Sequence, residues 1–519
     1  MSLWIVASVV IALVLWVKTT MDIAKKPLWL AYPPGPPADP VIGHLRIMPS
    51  TDTAHHVFYD WSRRYGDVMY LEVPGKSILV LSSEKAASDL LDKRGALYSD
   101  RPRFAIAERL GWRRLLGFLP LGPEYRDARK ALQQYFDKNN IANYRSIQEK
   151  ASITLLHGLL RDPQDLDQML HMYTSTILMD ITYGHHMRSR EDPIFKMLER
   201  LSPIFSACIR PSLLDISPLF EWLPSWFPGA WYQDFLKVAT PVLRPIEEYP
   251  VSLVQKEIAC GTARPSFVAE QLQAFSQQGE LSSEDLHEVG GRAFAVTAAG
   301  TETTWHTITL FFACMVLHPA VQRRAQEEIV RVVGEERLPD FADRDALPYV
   351  ECVLKEVMRW KPIGPLGVPH KLREDDTYRG MWIPKGTTVV ASTTAMCLND
   401  QKFHEPELFK PERFLPKPEG AGEVLPANVI FGWGRRICPG RYLADSAVWL
   451  AIARSLAAVT VTKAKDENGR EIEPELKFAV GLTSRPLPFP CDIRPRSEKA
   501  SALVKKAYDL MRVDDVTPA

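Results

Sequence analysis

Cys438 lies in Phe431-Gly432-Trp433-Gly434-Arg435-Arg436-Ile437-Cys438-Pro439-Gly440, directly ahead of a run, Arg441–Leu456, that reads as a helix. A thiolate just before a helix N-terminus is favoured by the helix dipole and by unpaired backbone amides, which suits a metal ligand. Gly434 permits a turn closed to other residues, and Gly440 lets the backbone approach a flat ligand closely. Arg436, two positions before the cysteine, can pair with an anionic group. An isolated cysteine is more often a buried, inert thiol, and it is the surrounding glycines and arginine that favour ligation here. Two further patterns could carry chemistry. Ala299-Gly300-Thr301-Glu302-Thr303-Thr304 puts hydroxyls and a carboxyl side by side, as proton handling requires. Glu356-x-x-Arg359 has the i,i+3 spacing that brings both side chains to one helix face. Taken singly, the first would pass for a small-residue crossing between helices and the second for a solvated surface pair.

These residues need elements to hold them. Ser282-Ser283-Glu284-Asp285 has a helix-start pattern with Ser282 and Asp285 at capping-box spacing, and helical residues then run to Leu317 before His318-Pro319. Such a helix, about 50 Å long and carrying Ala295–Ala299 and Phe311-Phe312 in its middle, should cross the core rather than lie on the surface. Gly300 and the threonines that follow weaken it and predict a local kink or groove. Further helical periods occupy Pro319–Val333, Tyr349–Trp360 and Gly440–Leu456. Short strands are expected at Val68–Val73, Ser77–Leu81, Thr387–Ser392, Val459–Thr462 and around Lys477–Leu482. The fold class is therefore mainly α with a small β portion.

Phe431-x-x-Gly434-x-Arg436-x-Cys438-x-Gly440 resembles the haem-thiolate signature of the cytochromes P450. The resemblance runs from a proline hinge at Pro33–Pro37 to Gly481–Pro486, and implies the P450 fold with haem b as cofactor. Cys438 would be the axial ligand of its iron, within a cofactor-binding set of Phe431, Arg436, Cys438 and Gly440. Ala299–Thr304 resembles the family's oxygen-activation segment, in which Thr303 hydrogen-bonds dioxygen and Glu302 helps deliver protons through water. Glu356 and Arg359, with Arg413 of Pro411-Glu412-Arg413-Phe414, resemble the buried Glu-Arg-Arg network, a structural role. Tyr98-Ser99-Asp100-Arg101-Pro102 and Gly122–Arg129 follow in the family's order; the latter resembles the helix whose aromatic and arginine hold haem propionates. Arg129 takes that part here, and Tyr125 replaces the usual Trp. His370 stands where many members carry Arg, and is a candidate propionate partner. Pro365–His370 and Ile383–Thr387 resemble fungal microsomal, O-methylsterigmatocystin oxidoreductase-like members.

The remaining sequence bounds the setting. The 519 residues, 46% hydrophobic and 24% charged, exclude global disorder, and equal numbers of Lys+Arg and Asp+Glu, 63 each, give no footprint for nucleic acid. Seven scattered cysteines without a CxxC pair support neither a disulfide framework nor a zinc ribbon. Residues 1–17 are apolar enough to form a transmembrane anchor of about 26 Å. A cleaved signal peptide is the rival, disfavoured by the lack of a basic residue ahead of the apolar run. Lys18, Lys25 and Lys26 orient the body to the cytosol, which implies a single-pass protein of the endoplasmic reticulum membrane. A basic, proline-rich linker over 18–37 and a catalytic domain over 38–519 complete the plan. The aromatic-rich Leu223–Tyr232 suits either a membrane interface or a buried loop. No dinucleotide-binding glycine motif or iron–sulfur cysteine cluster is present, so electrons must come from outside. The family resemblance implies NADPH through NADPH–cytochrome P450 reductase, with cytochrome b5 as a second donor. It further implies a monooxygenase acting on a lipophilic small molecule, in fungal terpenoid or polyketide specialised metabolism. Detoxification of aromatic compounds is the alternative; a haem-thiolate isomerase or dehydratase, or a non-catalytic haem protein, fits the Glu302-Thr303 pair less well.

Overall fold

The computed structural model describes residues 27–514 apart from 28, 209, 211, 216, 217 and 278. The anchor expected over 1–17 lies outside the described residues. Among those described, no single helix is long and apolar enough to cross a membrane.

The architecture is mainly helical with a small sheet component. In chain order, the elements that build the site are strands β1 (Val68–Val73) and β2 (Lys76–Leu81), and helices α1 (Pro123–Tyr135), α2 (Leu166–Tyr183), α3 (Leu201–Ala207), α4 (Ser283–Leu317) and α5 (Pro348–Trp360). Strands β3 (His370–Lys371) and β4 (Thr388–Ala391), helix α6 (Arg441–Ala458) and strand β5 (Ser484–Pro486) follow. The largest sheet has the order β1-β2-β4-β3, with β1–β2 and β3–β4 antiparallel and β2–β4 parallel. The parallel pair joins residues about 310 positions apart, Ile78 to Thr388, and no local pattern could announce it.

Helix α4 is the central member. It starts where the sequence places it: the Ser282 hydroxyl accepts the Asp285 N–H at 3.2 Å and the Asp285 carboxylate accepts the Ser282 N–H at 2.9 Å. Its 35 residues rise about 52 Å. Ile308 to Val316 are buried without a break, because α4 is covered by α2, α6, α3 and β5 on different sides. A helix hydrophobic all round belongs in a core. Helix α2 runs along it and is itself buried from Leu170 to Tyr183.

The proline-rich segment is docked against the sheet. The Tyr70 N–H donates to the Pro34 carbonyl at 3.0 Å, Tyr32 stacks on Tyr70 at 4.5 Å, and a Cβ on Gly35 would lie 2.3 Å from the Tyr70 carbonyl oxygen. Any side chain at Gly35 would push the chain off β1. In the 223–232 stretch the two sequence alternatives divide by residue: Trp226 is 69% exposed, whereas Ala230 and Tyr232 are fully buried.

Candidate active site

Cys438 leads directly into α6, where Gly440 caps the first turn. The loop before it is set by Gly434. Its φ of +53° belongs to the left-handed region, and a Cβ there would come within 2.2 Å of the Leu91 carbonyl oxygen, so both conformation and space demand glycine. The loop then turns back so that the Cys438 N–H donates to the Phe431 carbonyl at 2.7 Å. Gly440 is different: its backbone is ordinary and no atom lies within 4 Å of where a Cβ would be. No protein neighbour excludes a side chain at Gly440, as a close approach by a flat ligand would. Burial pushes the Cys438 thiol up, against the downward pull of the Gly440 amide, Arg129 and Arg441. The helix-start geometry therefore does not by itself ionise the sulfur; a coordinated cation does so outright.

Beside the cysteine loop lies a cluster of buried cations. Arg436 donates from Nε to the Ser99 carbonyl at 2.7 Å and from Nη2 to the Leu119 carbonyl at 2.8 Å, and its guanidinium lies 3.6 Å above the Tyr125 ring. Arg129, on α1, donates to the Ile437 carbonyl at 2.5 Å. Arg101 donates to the carbonyls of Val368 and Pro369, each at 2.7 Å, while its buried Nε has no partner. Arg101, Arg129 and Arg436 are 6–8% exposed, and none forms an ion pair among the described residues. Burial lowers the proton affinity of all three, bringing Arg101 from 12.5 down to about 9, with Arg436 pushing it the same way. Buried guanidiniums without a carboxylate are costly, and a dianionic group such as a pair of haem propionates is the partner this set fits. The structure thus adds Arg101 to the residues named from the sequence. Its signal was present in Asp100-Arg101-Pro102, but only the fold shows that it is buried beside Arg436.

Tyr125 and His370 meet this cluster in other ways. The Tyr125 hydroxyl donates to the Arg435 carbonyl at 2.5 Å, which commits its one proton to the protein, and its ring supports Arg436. His370, 6% exposed, has Nδ1 2.9 Å from the Tyr98 carbonyl. Since a carbonyl only accepts, Nδ1 carries the proton. Burial, Arg101 and Arg436 hold His370 well below its usual value, so Nε2 donates only when an anion nearby offsets those charges.

The sequence also pointed to α4. Thr303 is half-buried and its hydroxyl donates to the Ala299 carbonyl at 3.0 Å, the back-bond that loosens a helix turn. Glu302 is 2% exposed; the Ser202 hydroxyl of α3 donates to its Oε2 at 3.1 Å. Burial lifts Glu302 to about 7, against Ser202 and Arg485, which lower it. Gly300 is needed for packing, since a Cβ would lie 2.8 Å from Leu178 Cδ1 on α2.

The Glu-Arg-Arg network is assembled. Arg359 grips Glu356 through two bonds, Nε–Oε2 at 2.7 Å and Nη2–Oε1 at 2.8 Å, and both residues are fully buried. Arg413 adds Nε–Oε1 at 3.1 Å and pairs with Glu423 at 2.9 Å. The remaining Arg359 and Arg413 donors satisfy carbonyls of Cys397, Pro406, His404 and Leu408, tying α5 to the segment that leads to the cysteine loop.

Comparison with known proteins agrees with this geometry. The family model for cytochrome P450 matches residues 33–489. Cytochrome P450 monooxygenase 136 of Postia placenta is 38% identical over 477 residues, covering 91% of this chain and 90% of that protein. Cytochrome P450 monooxygenase 176 of the same fungus is 37% identical, covering 92% of each chain. Monooxygenase claR of Ampulloclitocybe clavipes is 36% identical over 92% of this chain and 89% of its own. With most of its length matched and a cysteine loop, central helix and Glu-Arg-Arg network in place, the chain belongs to the cytochrome P450 family.

Proposed function

We propose that the protein hydroxylates or otherwise oxidises a lipophilic small molecule, using dioxygen and NADPH-derived electrons, in fungal specialised metabolism. Membership of the family makes it an oxidoreductase that incorporates oxygen, and the similar fungal proteins are named monooxygenases. The observation that carries the reading further is the cysteine at the start of α6 beside three buried, unpaired guanidiniums. Bound haem supplies the oxygen chemistry that side chains lack. Cys438 would hold the haem iron through its thiolate, a ligand that suits haem to oxygen activation. Arg101, Arg129 and Arg436 would hold the propionates, and Thr303 and Glu302 would position and supply protons.

Electrons reach the site from NADPH–cytochrome P450 reductase, with cytochrome b5 as a second donor. Arg126, Lys130 and Arg435 support this: they are exposed close to the cysteine loop and have no carboxylate partner among the described residues, leaving them for an acidic surface. A single-pass anchor in the endoplasmic reticulum membrane is consistent with the exposure of Trp29 (84%), Trp222 (86%) and Trp226, since indoles favour the headgroup layer.

The test is the carbon monoxide difference spectrum of the dithionite-reduced protein, wild type against Cys438→Ser. A thiolate-type Soret band in the wild type that the substitution abolishes is the expected outcome. Its absence from folded, haem-loaded wild type refutes Cys438 as ligand and the mechanism with it.

A further inference from the structure

Glu302 faces away from bulk solvent into a small polar enclave. From its own helix α4 come Trp305 and His306; from α2, Asp167 and His171; from α3, Ser202; from β5, Arg485. The Trp305 indole donates to Asp167 Oδ1 at 3.0 Å, and its ring packs on His171 at 4.4 Å and His306 at 4.8 Å, with the Arg485 guanidinium 5.8 Å away. His306 is one helical turn beyond Glu302, with Nε2 3.4 Å from Glu302 Oε2. It is 1% exposed, and neither of its ring nitrogens makes a hydrogen bond.

An imidazole is a poor choice for packing alone. A buried polar group left unpaired is costly, and a hydrocarbon of similar size would avoid that cost. The Ser202 hydroxyl serves the carboxylate form of Glu302 by donating to it. The acid form needs an acceptor for its O–H, and the imidazole nitrogen nearest to Glu302 is His306 Nε2.

We propose that His306 is the proton partner of Glu302, accepting the O–H of its acid form and returning a proton to it after each delivery. When Glu302 gives its proton toward Thr303, the carboxylate left behind draws a proton from solvent water onto His306 Nε2. The Nε2–H bond then breaks as the Glu302 O–H bond re-forms. The imidazole starts and ends neutral, one proton passes from solvent to the Thr303 side, and no oxidation state changes. The electrostatics agree in direction: burial lifts Glu302 to about 7 and, with Arg485 and His171, presses His306 to about 3. The proton is therefore held by the carboxyl in preference to the imidazole, which is the acceptor. After burial and the Ser202 hydrogen bond, Arg485 lowers Glu302 and Asp167 raises it.

The use of the proton rests on the monooxygenase reading, whereas the pairing does not, and the experiment separates them. Infrared difference spectra of the full-length, haem-loaded protein between pH 6 and pH 8 are compared for wild type, Glu302→Gln, His306→Leu and His306→Gln. The expected result is a protonated-carboxyl C=O band that Glu302→Gln removes. His306→Leu shifts it to higher frequency, since the O–H loses its acceptor, and His306→Gln restores it toward the wild-type position through its amide oxygen. In turnover, His306→Leu raises the peroxide released per NADPH, because the positioned proton donor is no longer re-protonated after each delivery. An unmoved band in His306→Leu overturns the proposal. Should that variant fail to retain haem, His306→Met carries the test: it too lacks an imidazole nitrogen to accept the O–H, and a band left at the wild-type position overturns the pairing. Failure of all turnover with a shifted band counts against the monooxygenase reading alone.

Discussion

Replacing Arg101 by Met should loosen the cofactor while leaving the cofactor-free fold about as stable as before. The fall in its proton affinity to about 9, caused by burial and then by Arg436, corresponds to roughly 5 kcal/mol at about 1.4 kcal/mol per tenfold change. Against this stand two charge-assisted bonds, to the carbonyls of Val368 and Pro369, at about 1.5–3 kcal/mol each. The two sides nearly cancel, so without a bound anion the substitution should change stability by no more than about 2 kcal/mol. With an anion bound the balance tips, because removing one partner of a buried ion pair costs about 3–5 kcal/mol. The assay is transfer of haem from the protein to an excess of apomyoglobin, followed at the Soret band. Arg101→Met should release haem on the order of a hundred to a thousand times faster than wild type, whereas Arg126→Met, altering an exposed arginine three residues from Arg129, should not change the rate. Equal rates for Arg101→Met and wild type would refute the assignment of this cluster to the propionates.

Two further perturbations test the framework around the site. Arg359→Ala strands the fully buried Glu356 carboxylate with Arg413 and the Lys410 N–H; a loss of about 3–5 kcal/mol is expected, read as a fall in folded yield and in thermal midpoint. Glu302, raised from 4.5 to about 7, holds a proton that the unfolded chain has released between those values, so its contribution is full below pH 4.5 and is lost as pH rises through 7, by about 3 kcal/mol. Glu302→Gln should remove that decline and gain on wild type in thermal midpoint between pH 5 and pH 8. His171 and His306, lowered to about 4 and about 3, act in the other direction: they stabilise the fold above pH 6.5 and lose that contribution as pH falls toward 4.

Local signals were legible and long-range ones were not. The bounds of α4, α5 and α6 follow from caps and prolines, which act over a single turn: Ser282 with Asp285 starts α4, and His318-Pro319 ends it. Cys438, Gly434 and the Glu356–Arg359 spacing could be read because each depends on neighbours within ten residues. Arg101 could not be ranked, because its importance comes from being buried beside Arg436, 335 positions away. Tyr125 shows the same limit. Its identity was visible, whereas the direction of its hydroxyl toward the Arg435 carbonyl depends on how α1 meets the cysteine loop. The proline-rich segment looked like a spacer because its composition denies it helix and strand; its carbonyls are free to accept, and Tyr70 and His44 donate to those of Pro34 and Pro36.

The site's electrostatics are asymmetric, and the asymmetry follows from which buried groups lack partners. On the cysteine side three guanidiniums are buried against carbonyls with no ion pair among the described residues, and although Asp100 acts on Arg101 and Arg436, one carboxylate against three cations leaves net positive charge until an anion arrives. The Glu-Arg-Arg network uses the same residue types with the charges matched: Glu356 accepts from both arginines and Arg413 reaches a second acid, Glu423. Arginine burial alone therefore does not distinguish a ligand cradle from a structural clamp; the presence or absence of a paired carboxylate does. On the α4 side the buried atoms without a partner include both ring nitrogens of His306, and what would complete His306 with the acid form of Glu302 is a shared proton. A cradle lacking an anion and a carboxyl poised near neutrality are the two electrostatic requirements of an enzyme that must hold a dianionic cofactor on one side and supply protons on the other.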